Sequence, residues 1–159
     1  MIMQYADVIW NDIMAGDGLC VSFYVQGCPH RCPGCHNPET WDFNGGKEFP
    51  ASLLEEIIEK LNAQGINRSL CILGGEPLCP ENLFLTTLLV RTVKEKSPET
   101  KIYIWTGYLY EDLLKQESSH MQYILANINT LIDGPFIQEQ RDVTLKMRGS
   151  RNQRIIDIQ

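Results

Sequence analysis

LCVSFYVQGCPHRCPGC, residues 19–35, is where the fold can first be read. Leu19 to Val25 alternate as a half-buried strand does. The chain then reaches Gly27 and sets Cys28, Cys32 and Cys35 close together. A strand that runs straight into a cysteine loop puts the chemistry at the strand's carboxyl end.

The same device recurs downstream. SLCIL (69–73) is a short apolar run followed by Gly74-Gly75-Glu76-Pro77, KIYIWT (101–106) ends at Gly107, and NTLIDGPF (129–136) turns at Asp133-Gly134-Pro135. Between them lie helical patterns. ASLLEEIIEKLNAQG carries Leu53, Leu54, Ile57, Ile58 and Leu61 at helical spacing. Ser52 with Glu55 reads as a capping box and Gly65 as a stop. Residues 81–96 read as a second helix closed by Pro98, and LYEDLLKQ and MQYILANI as a helical stretch with a break. QRIIDIQ reads as a last, edge strand. Strands alternating with helices predict a parallel sheet with right-handed crossovers. A closed eight-stranded barrel takes more than about 200 residues as a rule, and the chain has 159. The expected fold is α/β: an open partial (βα) barrel, a curved, mostly parallel sheet with outer helices, in one domain over residues 1–159. In such sheets ligands bind at the carboxyl ends of strands.

The net charge is -6, and the basic residues are dispersed apart from Lys146, Arg148, Arg151 and Arg154. That argues against a nucleic-acid surface; the C-terminal group reads as a local anion or partner contact, or as a solvated tail. No apolar run reaches membrane-span length, and MIMQYADVIWND lacks the basic-then-apolar order of a secretory signal. The expectation is a cytoplasmic protein without a membrane partner. In a reducing compartment six cysteines point to metal ligation or redox work before disulfides.

Two metal readings stay open on the residues alone. Structural zinc prefers four tethered ligands, and His30, His36, Cys20, Cys71 or Cys79 is available as the fourth. An iron–sulfur cluster also usually takes four thiolates. Three would leave one iron without a protein ligand, open to a substrate. Cys20 and Cys71, inside strands, otherwise read as buried small residues, and Cys79 as packing beside the site.

The spacing Cys28-x-x-x-Cys32-x-x-Cys35, followed at the next strand end by GGEP, resembles the signature of the radical S-adenosylmethionine enzymes. The resemblance implies a [4Fe-4S] cluster held by Cys28, Cys32 and Cys35, with S-adenosyl-L-methionine chelating the fourth iron. Reductive cleavage of its C5′–S bond would give methionine and a hydrogen-abstracting 5′-deoxyadenosyl radical. Gly74, Gly75 and Glu76 would receive the cofactor's methionine end, with Pro77 fixing the turn. Gly34, Cys35 and His36 would meet its adenine, and Thr106 with Gly107 would flank it. Many members carry an aromatic residue just before the third cysteine, where this chain has Gly34.

CPGCHNPETW, GGEPL, WTGY, DGPF and RGSRNQR narrow the resemblance to the activating subunits of anaerobic (class III) ribonucleotide reductases, from about Cys20 to Arg154. It implies hydrogen abstraction from a C-terminal glycine of the large reductase subunit, a low-potential electron donor and a homodimer. The alternatives are an activase of another glycyl-radical enzyme, of the pyruvate formate-lyase type, a radical enzyme acting on a small molecule, and a zinc or electron-transfer protein with Cys71 or Cys79 as fourth ligand. Asn37 is expected to brace the cysteine loop. Trp105 and Tyr108 either flank the cofactor or serve as strand core and turn, a role that accounts well for Trp105, and Asp133 either binds a ribose hydroxyl or caps the DGPF turn.

Overall fold

The computed structural model describes residues 2–159. β1 (Gln4–Asp12) runs antiparallel to β2 (Cys20–Val25) on one side and to the short β3 (Lys47–Glu48) on the other. α1 (Ala51–Leu61) leads to β4 (Ser69–Gly74), and α2 (Pro80–Lys96) to β5 (Ile102–Trp105). α3 (Tyr110–Leu114) and α4 (Ser119–Asn127) precede β6 (Thr130–Asp133), and β7 (Arg154–Asp157) ends the order. The strands form one sheet in the order β3-β1-β2-β4-β5-β6-β7. β2, β4, β5 and β6 are parallel, and β7 adds antiparallel to β6. β3 and β7 remain as edges, so among the described residues the sheet is open and does not close into a barrel.

The expected alternation holds for the four inner strands. The sequence reading missed β1 and β3. Register shifts between Tyr5 and Asp7 and between Ile9 and Asp12 break β1's two-residue period. Tyr5, Val8 and Trp10 pack against the core despite that spacing. At α1 the capping box is not formed: Pro50 is the N-cap, no side-chain cap bond is made, and Ser52 lies within the helix. The helix also stops at Leu61, before Gly65, with Asn62 at its end. The break between α3 and α4 falls where expected, and Ser118 caps α4 by accepting from the Met121 N–H.

The period of two along each strand sorts residues onto two faces. Val21, Phe23, Leu70, Ile72, Ile102, Ile104 and Leu131 share the main core with the helices. α1 contributes Leu53, Ile57 and Leu61, one stripe at four-residue spacing, and α2 contributes Leu85, Leu89 and Val93. Full burial of a side chain such as Ile57 stabilises by about 1.5–3 kcal/mol. The other face carries a smaller cluster, Cys20, Cys71, Tyr103 and Ile132, packed by Ala15, Leu73, Trp105 and Met147. That face has loops over it in place of helices.

Candidate functional site

Because β2, β4, β5 and β6 run in parallel, their carboxyl ends gather at one end of the sheet. An open cleft of about 200 Å³ lies there, and Cys28, Cys32, Cys35, His36, Gly74, Gly75, Glu76 and Thr106 all line it. Three separate segments, far apart in sequence, bring these residues together. Gly34 is the expected site residue missing from the lining. Its φ is +78°, a conformation that side chains rarely adopt, and a Cβ there would sit 2.9 Å from Gln138. Gln138 thus packs where an aromatic side chain at this position would begin. Across the cleft lining, the rings of His36 and Phe136 lie 5.5 Å apart.

The cysteine loop is fastened at its base. Gly27 N–H donates to the Thr40 carbonyl (2.7 Å) and Cys28 N–H to that of Trp41 (3.2 Å). The buried Gln26 side chain donates to the carbonyls of Glu39 and Asp42. Asn37 braces the loop through its backbone: its carbonyl accepts from Thr40, and its N–H points at the Cys35 sulfur, 3.4 Å away. Burial pushes the Cys28 thiol up to about 11, nearby Glu76 adding to the effect, while the backbone of His30 and Arg31 opposes it.

The glycines of GGEP serve the chain's own packing. Glu76 N–H donates to the Gly27 carbonyl (2.8 Å) and Gly75 N–H to that of Val25 (3.1 Å). A Cβ on Gly75 would lie 2.3 Å from the Gly27 oxygen. This close passage welds the GGEP turn to the start of the cysteine loop. Asn82, in the first turn of α2, tightens the same joint by donating to the carbonyls of Gly27 and Glu76. The sequence reading missed Asn82; a polar residue on the buried side of an apolar helix was the available signal.

Glu76 is 1% exposed, and its carboxylate accepts four hydrogen bonds. Leu78 N–H and Thr106 Oγ1 donate to one oxygen, Gly107 N–H and His30 Nε2 to the other. Thr106 in turn accepts from Tyr108 N–H. The Glu76 side chain therefore ties three strand-end segments together. Tyr108, beside His30, is pushed up to about 12 by burial and by Glu76, and stays a phenol.

The remaining expectations resolve at the rim. Asp133 bonds outside the DGPF turn it was expected to cap: it accepts from Tyr110 N–H at the start of α3 and pairs with Arg154, which also forks onto Glu111. Arg154 is thus an internal clasp, neither a free anion contact nor a solvated tail. Gln153 accepts from Gly149 and Ser150 and donates to the Gly134 carbonyl, stitching RGSRNQR to DGPF. Trp105 is half-buried, lines the cleft and donates its indole N–H to the Met147 carbonyl. Cys79 is buried and donates to the Glu76 carbonyl; Cys20 and Cys71 lie on the opposite side of the strands from the helix core.

Chemically, the donor set suits an iron–sulfur group. Three half-exposed thiols line one cleft that opens to solvent, and thiolates are the donors such clusters take. Among the described residues no three His, Cys, Asp or Glu side chains converge on a single-ion position. A multi-iron cluster asks instead for thiolates that approach separate irons.

A family described as a 4Fe-4S single cluster domain matches residues 14–156. An anaerobic ribonucleoside-triphosphate reductase-activating protein of Haemophilus influenzae is 39% identical over 152 residues, covering 95% of this chain and 96% of that protein. The protein of the same name from Escherichia coli K12 is 38% identical with the same coverage. The one from Enterobacteria phage T4 is 36% identical over 154 residues, covering 96% of this chain and 93% of that protein.

Proposed function

The chain belongs to the anaerobic ribonucleoside-triphosphate reductase-activating proteins, and from that premise we propose how its residues do the work. It is an iron–sulfur oxidoreductase whose target is the anaerobic ribonucleotide reductase. Cys28, Cys32 and Cys35 hold a [4Fe-4S] cluster, and S-adenosyl-L-methionine takes the position that a fourth thiolate would fill. When bound, the two supply reductive cleavage of the C5′–S bond and a radical that takes a hydrogen atom from a C-terminal glycine of the reductase.

The chain's own part is binding, orientation and shelter. The loop base at Gly27 and Cys28 points three thiols into the cleft. Gly74 and Gly75 keep side chains out of its floor. Backbone groups there receive the cofactor's amino and carboxylate ends, because the Glu76 carboxylate already accepts four donors. Cys35 and His36, with Phe136 opposite, face the adenine, and Gly34 makes room for Gln138. Thr106 acts through Glu76. The open sheet is read as a partial barrel, residues 1–159 as one radical S-adenosylmethionine domain. Its helix-free face gives a reductase loop a way to the cleft. A low-potential donor supplies the electron, the chain works as a homodimer, and the compartment is the cytoplasm.

The observation that carries this reading is the gathering of three half-exposed thiols and the Gly74-Gly75 turn on one open cleft. The test is an EPR spectrum of the anaerobically reconstituted, reduced protein with and without S-adenosyl-L-methionine. A reduced-cluster signal that changes shape on addition is expected. A signal indifferent to the cofactor means a fourth protein ligand and overturns the radical mechanism in favour of electron transfer.

A further inference from the structure

Within the cysteine loop, His30 stands two residues from both Cys28 and Cys32. Its Nε2 lies 2.6 Å from Glu76 Oε1, with His30 19% and Glu76 1% exposed. The other three donors to that carboxylate come from the GGEP turn and from the end of β5, which the sheet already fixes. His30 alone comes from the cysteine loop. Among the described residues, no other side-chain hydrogen bond ties Pro29, His30 or Arg31 to the rest of the molecule. That stretch needs holding: Arg31 sits at φ +50°, a left-handed conformation costly for a residue with a Cβ. Its guanidinium rests only at the edge of reach of the Trp41 ring, 5.7 Å from the centroid.

The pocket for the imidazole is shaped. Its ring meets Tyr108 edge-on at 4.6 Å. A Cβ on Gly107 would lie 2.6 Å from His30 Cδ2 and 2.7 Å from Nε2. Only a glycine at 107 leaves space for the ring to reach the carboxylate.

We infer that His30 is a positioning residue: its hydrogen bond to buried Glu76 fixes the span between the first two thiols and so sets how Cys28 and Cys32 present themselves to a cluster. This rests on the reading of Cys28, Cys32 and Cys35 as cluster ligands. Nε2, engaged by the carboxylate, is not a fourth ligand. Groups that orient ligands typically change metal affinity by about 10–100-fold when removed.

The experiment measures iron release to a chelator, and the EPR line shape, in anaerobically reconstituted protein. His30→Phe keeps the ring against Tyr108 but removes the donor; release about tenfold faster than wild type is expected, with an altered line shape. His30→Gln, whose amide nitrogen can reach Glu76, restores most of the wild-type rate. Gly107→Ala, which pushes the ring away without changing the donor, moves the rate as His30→Phe does, and carries the test if His30→Phe fails to fold. Wild-type release in both His30→Phe and Gly107→Ala overturns the inference, as does a His30→Gln as impaired as His30→Phe. S-adenosyl-L-methionine cleavage by the wild-type protein is followed in parallel. A cluster whose retention depends on His30, in a protein that cleaves nothing, overturns the activase reading and leaves this inference standing. A wild-type chain that takes up no cluster overturns both.

Discussion

Cys20, Cys71 and Cys79 are fully buried, two in neighbouring strands and one at the head of α2, whereas Cys28, Cys32 and Cys35 stand half-exposed on one loop. The residue type is the same and the surroundings are opposite. The Cys20 thiol donates to the Gly18 carbonyl (3.5 Å), and its neighbour Cys71 is pushed up by Cys20 and by burial while the Cys20 thiol is lowered by Cys71. The Gly16 backbone lies over both sulfurs: a Cβ on that residue would come within 2.9 and 3.0 Å of them. Cys79, donating to the Glu76 carbonyl, is pushed up to about 12 by burial. These three behave as small hydrophobes with weak donors. The loop thiols have solvent on one side and a glycine-lined cleft on the other. A thiol's availability is decided by what the backbone packs over it, and only the loop set is left open.

The contrast can be broken most directly by substitution. Cys28→Ala, Cys32→Ala or Cys35→Ala is expected to lower S-adenosyl-L-methionine cleavage at least about 100-fold, read as 5′-deoxyadenosine formed. Cys20→Ala and Cys79→Ala should stay within about twofold, since neither reaches the cleft. Equal losses in both sets would dissolve the distinction.

Next in size is the support beneath the loop set. Glu76→Gln replaces an acceptor of four hydrogen bonds by an amide that brings two donors of its own into a buried site. Loss of about 2–3 kcal/mol of stability is expected, read from urea unfolding of the metal-free chain. A change below about 0.5 kcal/mol would mean that Glu76 is not the tie described.

The buried set should register in stability where the loop set registers in activity. Cys71→Ala removes a fully buried sulfur from the cluster it shares with Cys20, and is expected to cost about 1–2 kcal/mol. Cys32→Ala, half-exposed, should cost the metal-free chain about 0.5 kcal/mol or less. The reverse ranking would show the loop to be part of the folding core.

The smallest effect lies outside both sets and sharpens the baseline. The Arg154 guanidinium holds the exposed Glu111 carboxyl at about 2, below its ordinary 4.5. Its contribution is therefore complete above pH 4.5 and drains away as the pH falls toward 2. The difference in urea midpoint between wild type and Glu111→Gln should be constant at neutral pH and close across that acid window. A difference that persists unchanged at pH 2 would mean the carboxylate was never the source.

The inner half of the fold was legible because each of its parts carries a local signal. Val21, Phe23, Leu70, Ile72, Ile102 and Ile104 fall on strand periods, and Leu53, Ile57 and Leu61 on a helical one, so the four parallel strands and their crossovers followed. β1 was not legible because its bulges destroy the period, and β3, two residues long, has no period to show. The capping box at Ser52 failed because Pro50 already begins the helix, which leaves Ser52 within the first turn. Eight of the expected site residues line the cleft because each strand end announced itself with glycine or cysteine. Gly34 does not, because Gln138, distant in sequence, claims the space beside it.

By itself the sequence determined the spacing of three thiols, the glycines after each strand, and the order that makes the strands parallel. Those are properties of near neighbours along the chain. The partners of Glu76, the clasp of Arg154 on Asp133 and Glu111, and the separation of six cysteines into closed and open sets were decided only in three dimensions. Each depends on which distant backbone arrives to cover or to bond a side chain. Contacts of that kind, between residues such as His30 and Glu76, leave no period for a sequence to display.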